Sequence, residues 1–129
     1  EVMYAAGGQA YVYLCYGIHH LFNVVVSAKD DPQAVLIRAI HPTEGQDAMQ
    51  HRRRMAKLTT TGPGTLTQAL GIRTEHNGTD LTATRIWIAD MGVEAPTRHI
   101  ITGPRIGVNY AGADALLPYR YRIAPSHLR

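Results

Sequence analysis

The residues best placed to do chemistry lie in YVYLCYGIHHLFN, from Tyr11 to Asn23, where three tyrosines are spaced along an extended segment and the last precedes a glycine. Side chains alternate along a strand, so Tyr11, Tyr13 and Cys15 share one face, with Val12 and Leu14 on the other. Gly17 lets the backbone reverse directly after Tyr16, and the LFNVVV run reads as the returning strand, which puts Tyr16 at or near a hairpin tip. A flat ring held at the apex of a stiff hairpin can enter a base stack, as apolar wedges do in proteins that unstack or kink duplexes. The competing reading is that the tyrosines only clothe a sheet surface.

Four further groups stand out. Asn23 lies among apolar neighbours on the returning strand, where an amide needs a partner, either backbone near a turn or a ligand. Arg38 interrupts VLIRAI and so puts a permanent charge in an otherwise buried strand, which calls for a structural ion pair or a polar, water-filled site. The run HRRR (51–54) would usually be a solvated helix face. At 100° per residue, however, Arg52 falls between Ala48 and Met49, on the stripe completed by Met55 and Ala56, so it points inward or toward a partner while Arg53 and Arg54 point away. Phosphate contact is one use for such a cluster. In GPGTL, Gly62, Gly64 and Thr65 open a helix whose free backbone N–H groups suit an anion.

Other chemistries find little support. The only serines are Ser27 and Ser126, and neither lies in a Gly-x-Ser-x-Gly turn. Seven histidines include the adjacent His19 and His20, which diverge on a strand, and no HExxH or Cys-His ligand spacing occurs, so no metal site is expected. A phosphate-binding P-loop and a dinucleotide fingerprint are both absent. The lone Cys15 excludes an internal disulfide, fits a reducing compartment and reads as a small buried hydrophobe. A net charge of +3 and a pI near 9.3 permit nucleic-acid binding without requiring it. No apolar run approaches the roughly 20 residues of a membrane span, and the expected setting is the cytoplasm, nucleoid-associated if bacterial.

These residues must be positioned by short elements. Strands are expected at Tyr11–Tyr16, Leu21–Ala28, Val35–Ile40, Arg85–Ala89, Ile106–Val108 and Arg120–Ile123. One helix should follow Thr43 as cap and run to about Lys57; a second should carry Pro63 in its first turn and stop at Gly71, with Leu66, Ala69 and Leu70 facing the core. Thr59–Gly62 and Glu75–Thr79 read as exposed loops. Strands and helices mix without regular alternation, so the expected fold is α+β: a single domain over 1–129, mostly antiparallel sheet, with a protruding β-hairpin and two or more short helices.

The tyrosine-rich segment resembles the alkyladenine (3-methyladenine) DNA glycosylase family. The likeness continues in VLIRAIHPTEG (35–45), GPGTLTQALGI (62–72) and PRIGVNYAG (104–112). It implies a monofunctional, metal-free and cofactor-free hydrolase that acts on double-stranded DNA, flips out an alkylated or deaminated purine and cuts its N-glycosidic bond with an activated water. On that resemblance Tyr13 walls the base pocket, Tyr16 fills the gap in the duplex, and Asn23 at the pocket floor disfavours guanine. The resemblance also has Arg38 and the main-chain carbonyl of Ile106 hold the water; Arg52, Gly62, Gly64 and Thr65, read above as candidate anion contacts, are the residues expected to meet the DNA. The family usually has Lys where Thr65 stands and often Asp where Asn109 stands.

A carboxylate is the natural group to deprotonate that water. In the family it precedes the tyrosine hairpin, in a segment this chain does not contain. Glu1 has no matching context, while Glu44, Asp47, Glu75, Asp80, Asp90, Glu94 and Asp114 read as solvated charges. The expectation is a piece of a longer glycosylase, or one shorn of its N-terminal part, that associates with the missing segment and exposes apolar surface and a sheet edge. The alternative is a non-catalytic nucleic-acid binding module.

Overall fold

A computed structural model of the chain describes residues 2–124, in two compact units that divide after Ala89. Together they form an α+β fold with two antiparallel sheets and a few short helices.

The first unit is built on β1 (Ala10–Cys15), β2 (His19–Val25) and β3 (Ala34–Leu36), antiparallel in that order. The register sets Tyr11 opposite Asn23, Val12 opposite Phe22 and Cys15 opposite His19. The reversal takes three residues, and both Tyr16 (φ 52°) and Gly17 (φ 71°) are left-handed, a conformation that Gly17 adopts without steric cost. One sheet face is sealed: Ala10, Val12 and Phe22 pack with Ile72 and Leu81, flanked by Val24, Ile37 and Ile86. Leu14, on the same side but at the strand's end, stays exposed.

The expected strand at Val35–Ile40 is shorter than its sequence pattern. Ile37 N–H still bonds Phe22 O, but further pairing along β2 meets His20, whose carbonyl accepts the Thr67 hydroxyl at 2.7 Å. The chain therefore leaves the sheet, and Arg38 lies beyond β3 rather than within it. Arg85–Ala89 is likewise no strand. The outer edge of β1 is already occupied, since Ala10 exchanges backbone bonds with Thr79 and Gly78 while Val12 N–H donates to Asn77 Oδ1. The expected loop at Glu75–Thr79 thus does the work of an edge cover, and Thr60, in the other expected exposed loop, is buried and bonded to Ile40 O.

Helix α1 (Gln46–Arg53) is shorter than expected, being capped by left-handed Gly45 and ended by left-handed Arg54. Helix α2 (Pro63–Leu70) has Pro63 in its first turn and stops at left-handed Gly71, as the sequence pattern indicates. Leu66 and Ala69 are buried; Leu70 is partly exposed, and Thr67 takes the inward position instead.

The second unit contains β4 (Ile100–Gly103), which the sequence reading missed, paired antiparallel with β5 (Arg120–Ile123). A run of 3-10 geometry at Asn109–Leu116 precedes β5. Ile106–Val108 is a bend rather than a strand because Pro104 cannot donate to a ladder and Gly107 turns left-handed at φ 74°.

Candidate functional site

The hairpin tip presents Tyr16 to solvent, with 92% of its surface exposed. Behind it, Tyr13 is exposed and Tyr11 half-buried, their ring centroids 5.3 Å apart. The register puts Asn23 on the same sheet face as these rings. Asn23 is buried, and its Nδ2 donates to Tyr11 O at 3.2 Å. The backbone partner considered from sequence is therefore real for one amide hydrogen, and this cross-strand bond fixes the side chain beneath the tyrosines. Arg38 is half-buried and has no hydrogen bond or ion pair among the described residues, so its guanidinium is uncommitted.

At the other side of the tip stands the start of α2. Gly64 and His19 are in such close approach that a Cβ on Gly64 would lie 2.7 Å from the imidazole Nδ1. Thr65 Oγ1 accepts from Gly62 N–H at 2.9 Å and donates back to Gly62 O at 2.8 Å. Gly62 thus offers no free amide, contrary to the sequence expectation, and the open donors of the first turn are those of Gly64 and Thr65. Tyr16, His19, Gly62, Gly64 and Thr65 line one open groove of about 310 Å³, so the structure gathers the proposed wedge and the helix start in one place.

Of the α1 arginines, Arg52 turns toward α2 and Arg54 stays outside, as their helix positions indicate, and only Arg53 departs from its expected direction. Arg52 donates to Ala69 O at 2.9 Å, near the C-terminal end of α2, where a cation meets both free carbonyls and the negative end of the helix dipole. Arg53, expected to point away, turns inward instead and bonds Gln68 Oε1 at 2.6 Å and Thr59 Oγ1 at 3.2 Å. Arg54 lies past the helix end and is exposed.

Ile106 belongs to the second unit, where it is exposed on the bend before Gly107. The side chain of Asn109 lies outside what the structure describes, as do Glu1 and Ser126. The acidic residues considered above, from Glu44 to Asp114, are all exposed, and none is bonded to Asn23 or Arg38. Among the described residues no three His, Cys, Asp or Glu side chains converge as a metal site, and no helix is long and apolar enough to cross a membrane.

Sequence reasoning overlooked His19 and Arg73, which border the tip and the end of α2. The signal was present for His19, since residues facing each other across a hairpin end share a side with their partner, here Cys15. Arg73 gave no such signal, because only the folded path of α2 brings it toward the hairpin.

The family model for methylpurine-DNA glycosylase matches residues 1–127. A curated protein of Chlamydia felis, provisionally named a 3-methyladenine DNA glycosylase, is 45% identical over 123 residues, covering 92% of this chain and 62% of its own length. A protein of Anaeromyxobacter dehalogenans under the same provisional name is 43% identical over 126 residues, 97% of this chain and 55% of that relative. Another from Bacillus mycoides is 40% identical over 132 residues, 94% of this chain and 65% of that relative. The chain therefore spans a little over half to just under two thirds of the length of these relatives.

Proposed function

The chain belongs to the methylpurine-DNA glycosylase family, and from that premise we propose that it is the DNA-engaging, base-flipping portion of a base-excision-repair N-glycosylase for alkylated or deaminated purines. The observation that carries this reading is Tyr16, a large apolar ring left almost wholly in water at the apex of a hairpin whose other end is anchored in a buried core. Exposing such a ring brings no folding benefit, whereas a base gap would bury it.

Extrusion of a purine costs a few kcal/mol of stacking, and aromatic stacking on the vacated step and on the flipped base offsets about 1–3 kcal/mol per ring. Tyr16 fills the gap. The face that carries Tyr13 receives the base, and a purine alkylated on a ring nitrogen bears positive charge that an aromatic face attracts. Asn23, pinned by its bond to Tyr11 O, excludes the exocyclic amino group of guanine.

In the hydrolysis a water oxygen forms a bond to C1′, the C1′–N bond breaks, and its electron pair leaves with the purine, neutralising the charge of an alkylated base. The water proton passes to a carboxylate. Arg38, whose guanidinium has no partner among the described residues, orients that water, and the resemblance assigns a further water ligand to the carbonyl of Ile106 and the proton acceptor to sequence preceding the tyrosine hairpin. Thr65, uncharged and turned onto Gly62, contributes only its backbone amide to phosphate binding.

The test is release of 3-methyladenine and of hypoxanthine from duplex DNA by the 129-residue chain and by the chain joined to its natural upstream sequence. Release should require the extension, and Tyr16→Ala should lower kcat/KM about 10- to 100-fold through lost stacking. Lesion-specific binding without release in both forms would favour the non-catalytic nucleic-acid module. Binding indifferent to Tyr16→Ala would sink both readings.

A further inference from the structure

A second hollow of about 660 Å³ adjoins the groove beneath Tyr16, with His19 and Gly64 common to both. Arg52 and Arg73 both line it near the C-terminal end of α2, with Ile18 and Gly71 among its other walls, and no carboxylate lines it. Arg52 uses one guanidinium nitrogen on Ala69 O and keeps its remaining N–H groups. The Arg73 side chain is exposed and has no hydrogen bond or ion pair among the described residues. Its backbone is nevertheless held: Arg73 N–H donates to His76 Nδ1 at 2.9 Å, and the next amide, of Thr74, donates to His20 Nδ1 at 3.1 Å. A free charge is thus mounted on a fixed support, facing a cleft that begins where the wedge ends.

We propose that this cleft seats a backbone phosphodiester of the DNA strand beside the extruded nucleotide, with Arg73 as the principal charge and Arg52 as the second. The first turn of α2 carries no cation, since Thr65 stands there, so the positive charge on this side of the hairpin is supplied by these two arginines. Phosphate contacts of this kind set register on the duplex and carry no sequence information. The proposal rests on the reading of this face as DNA-binding, but not on base excision.

The experiment is fluorescence anisotropy over a salt series, using a short duplex with one central stable abasic analogue and an undamaged duplex of the same sequence. Arg73→Gln should weaken both complexes severalfold at low salt and reduce the magnitude of the slope of log Kobs against log salt by about 0.9, the signature of one lost phosphate. Arg73→Lys should restore the slope, because a point charge suffices for a phosphate. Arg85→Gln, at an exposed arginine 3.8 Å from Glu75, should leave it unchanged. An unaltered slope in Arg73→Gln, or an equal drop in Arg85→Gln, overturns the proposal. Tyr16→Ala should instead abolish preference for the abasic duplex at constant slope. If that preference is absent from the parent chain while the Arg73 effect persists, the wedge reading fails and the phosphate seat stands.

Discussion

The two sheets use the same antiparallel ladder but rest on different supports. In the first unit Ala10, Val12, Phe22, Ile72 and Leu81 seal one face of three strands, and Val25, Met49, Leu66 and Ala69 are withdrawn from water as well. Among the described residues from 90 onward none is comparably buried: Ile101, Tyr121 and Ile123 on the two-stranded ladder are all exposed. A two-stranded ribbon is marginal in water without a packed face. The difference bears on function, because a side chain that displaces a base must be carried by something that does not yield. Tyr16 meets that condition, at the tip of a hairpin whose strands lie on the sealed sheet.

The contrast is most sharply tested by cutting into each unit. Leu66 is wholly buried, and Leu66→Ala should cost about 2–5 kcal/mol through lost burial and the cavity left behind. Leu116 is 81% exposed, and Leu116→Ala should stay within about 0.5 kcal/mol. Urea denaturation midpoints measure both, and equal shifts would erase the distinction drawn between the units.

A smaller effect follows from adding one carbon. Gly64→Ala drives its Cβ to within 2.7 Å of His19 Nδ1 and 3.3 Å of His19 Cβ, so the imidazole must swing aside or the hairpin end and α2 give way, at a cost of about 1–3 kcal/mol. In the second unit a Cβ on Gly103 meets nothing within 4 Å, and Gly103→Ala should be neutral or stabilise by up to about 1 kcal/mol by reducing unfolded-state freedom. Thermal melting of the two variants decides it. A benign Gly64→Ala would mean that the contact between helix and hairpin does not hold the tip.

How much of this was legible from sequence depends on whether neighbours along the chain or across the fold decide the outcome. The β1–β2 hairpin and the limits of α2 were readable because alternation, Gly17, Pro63 and Gly71 act locally. Arg85–Ala89 had strand composition, but the ladder position it needed was occupied by Gly78, Thr79 and Asn77. β3 ended early because Thr67 had claimed the His20 carbonyl. In the site, Tyr16, Tyr13 and Asn23 could be placed from strand period alone. The inward turn of Arg53 and the arrival of Arg73 at the cleft could not, since both are set by where α2 lies. No carboxylate among the described residues is bonded to Arg38 or Asn23, so packing, like strand period, singles out no acid beside them.

The smallest expected effect is electrostatic, at the turn that closes the edge of β1. Asp80 bridges to Gln9, and its carboxylate accepts from Thr82 Oγ1 at 2.6 Å and Thr82 N–H at 2.9 Å. These bonds, the hydroxyl first, hold its pKa below the ordinary 3.8. A carboxyl depressed in the folded state binds its proton more readily once unfolded. Its contribution is therefore present in full above 3.8 and is lost as the pH falls through the lower folded value. Thr82→Ala removes the hydroxyl donor and should shallow the acid limb of the melting temperature against pH while leaving neutral behaviour nearly unchanged, because the site is solvent-exposed and its gain is screened. An acid limb of identical slope in both proteins would show that the bond at the edge of the three-stranded sheet carries no linkage, and that the firmness of the first unit comes from its buried face alone.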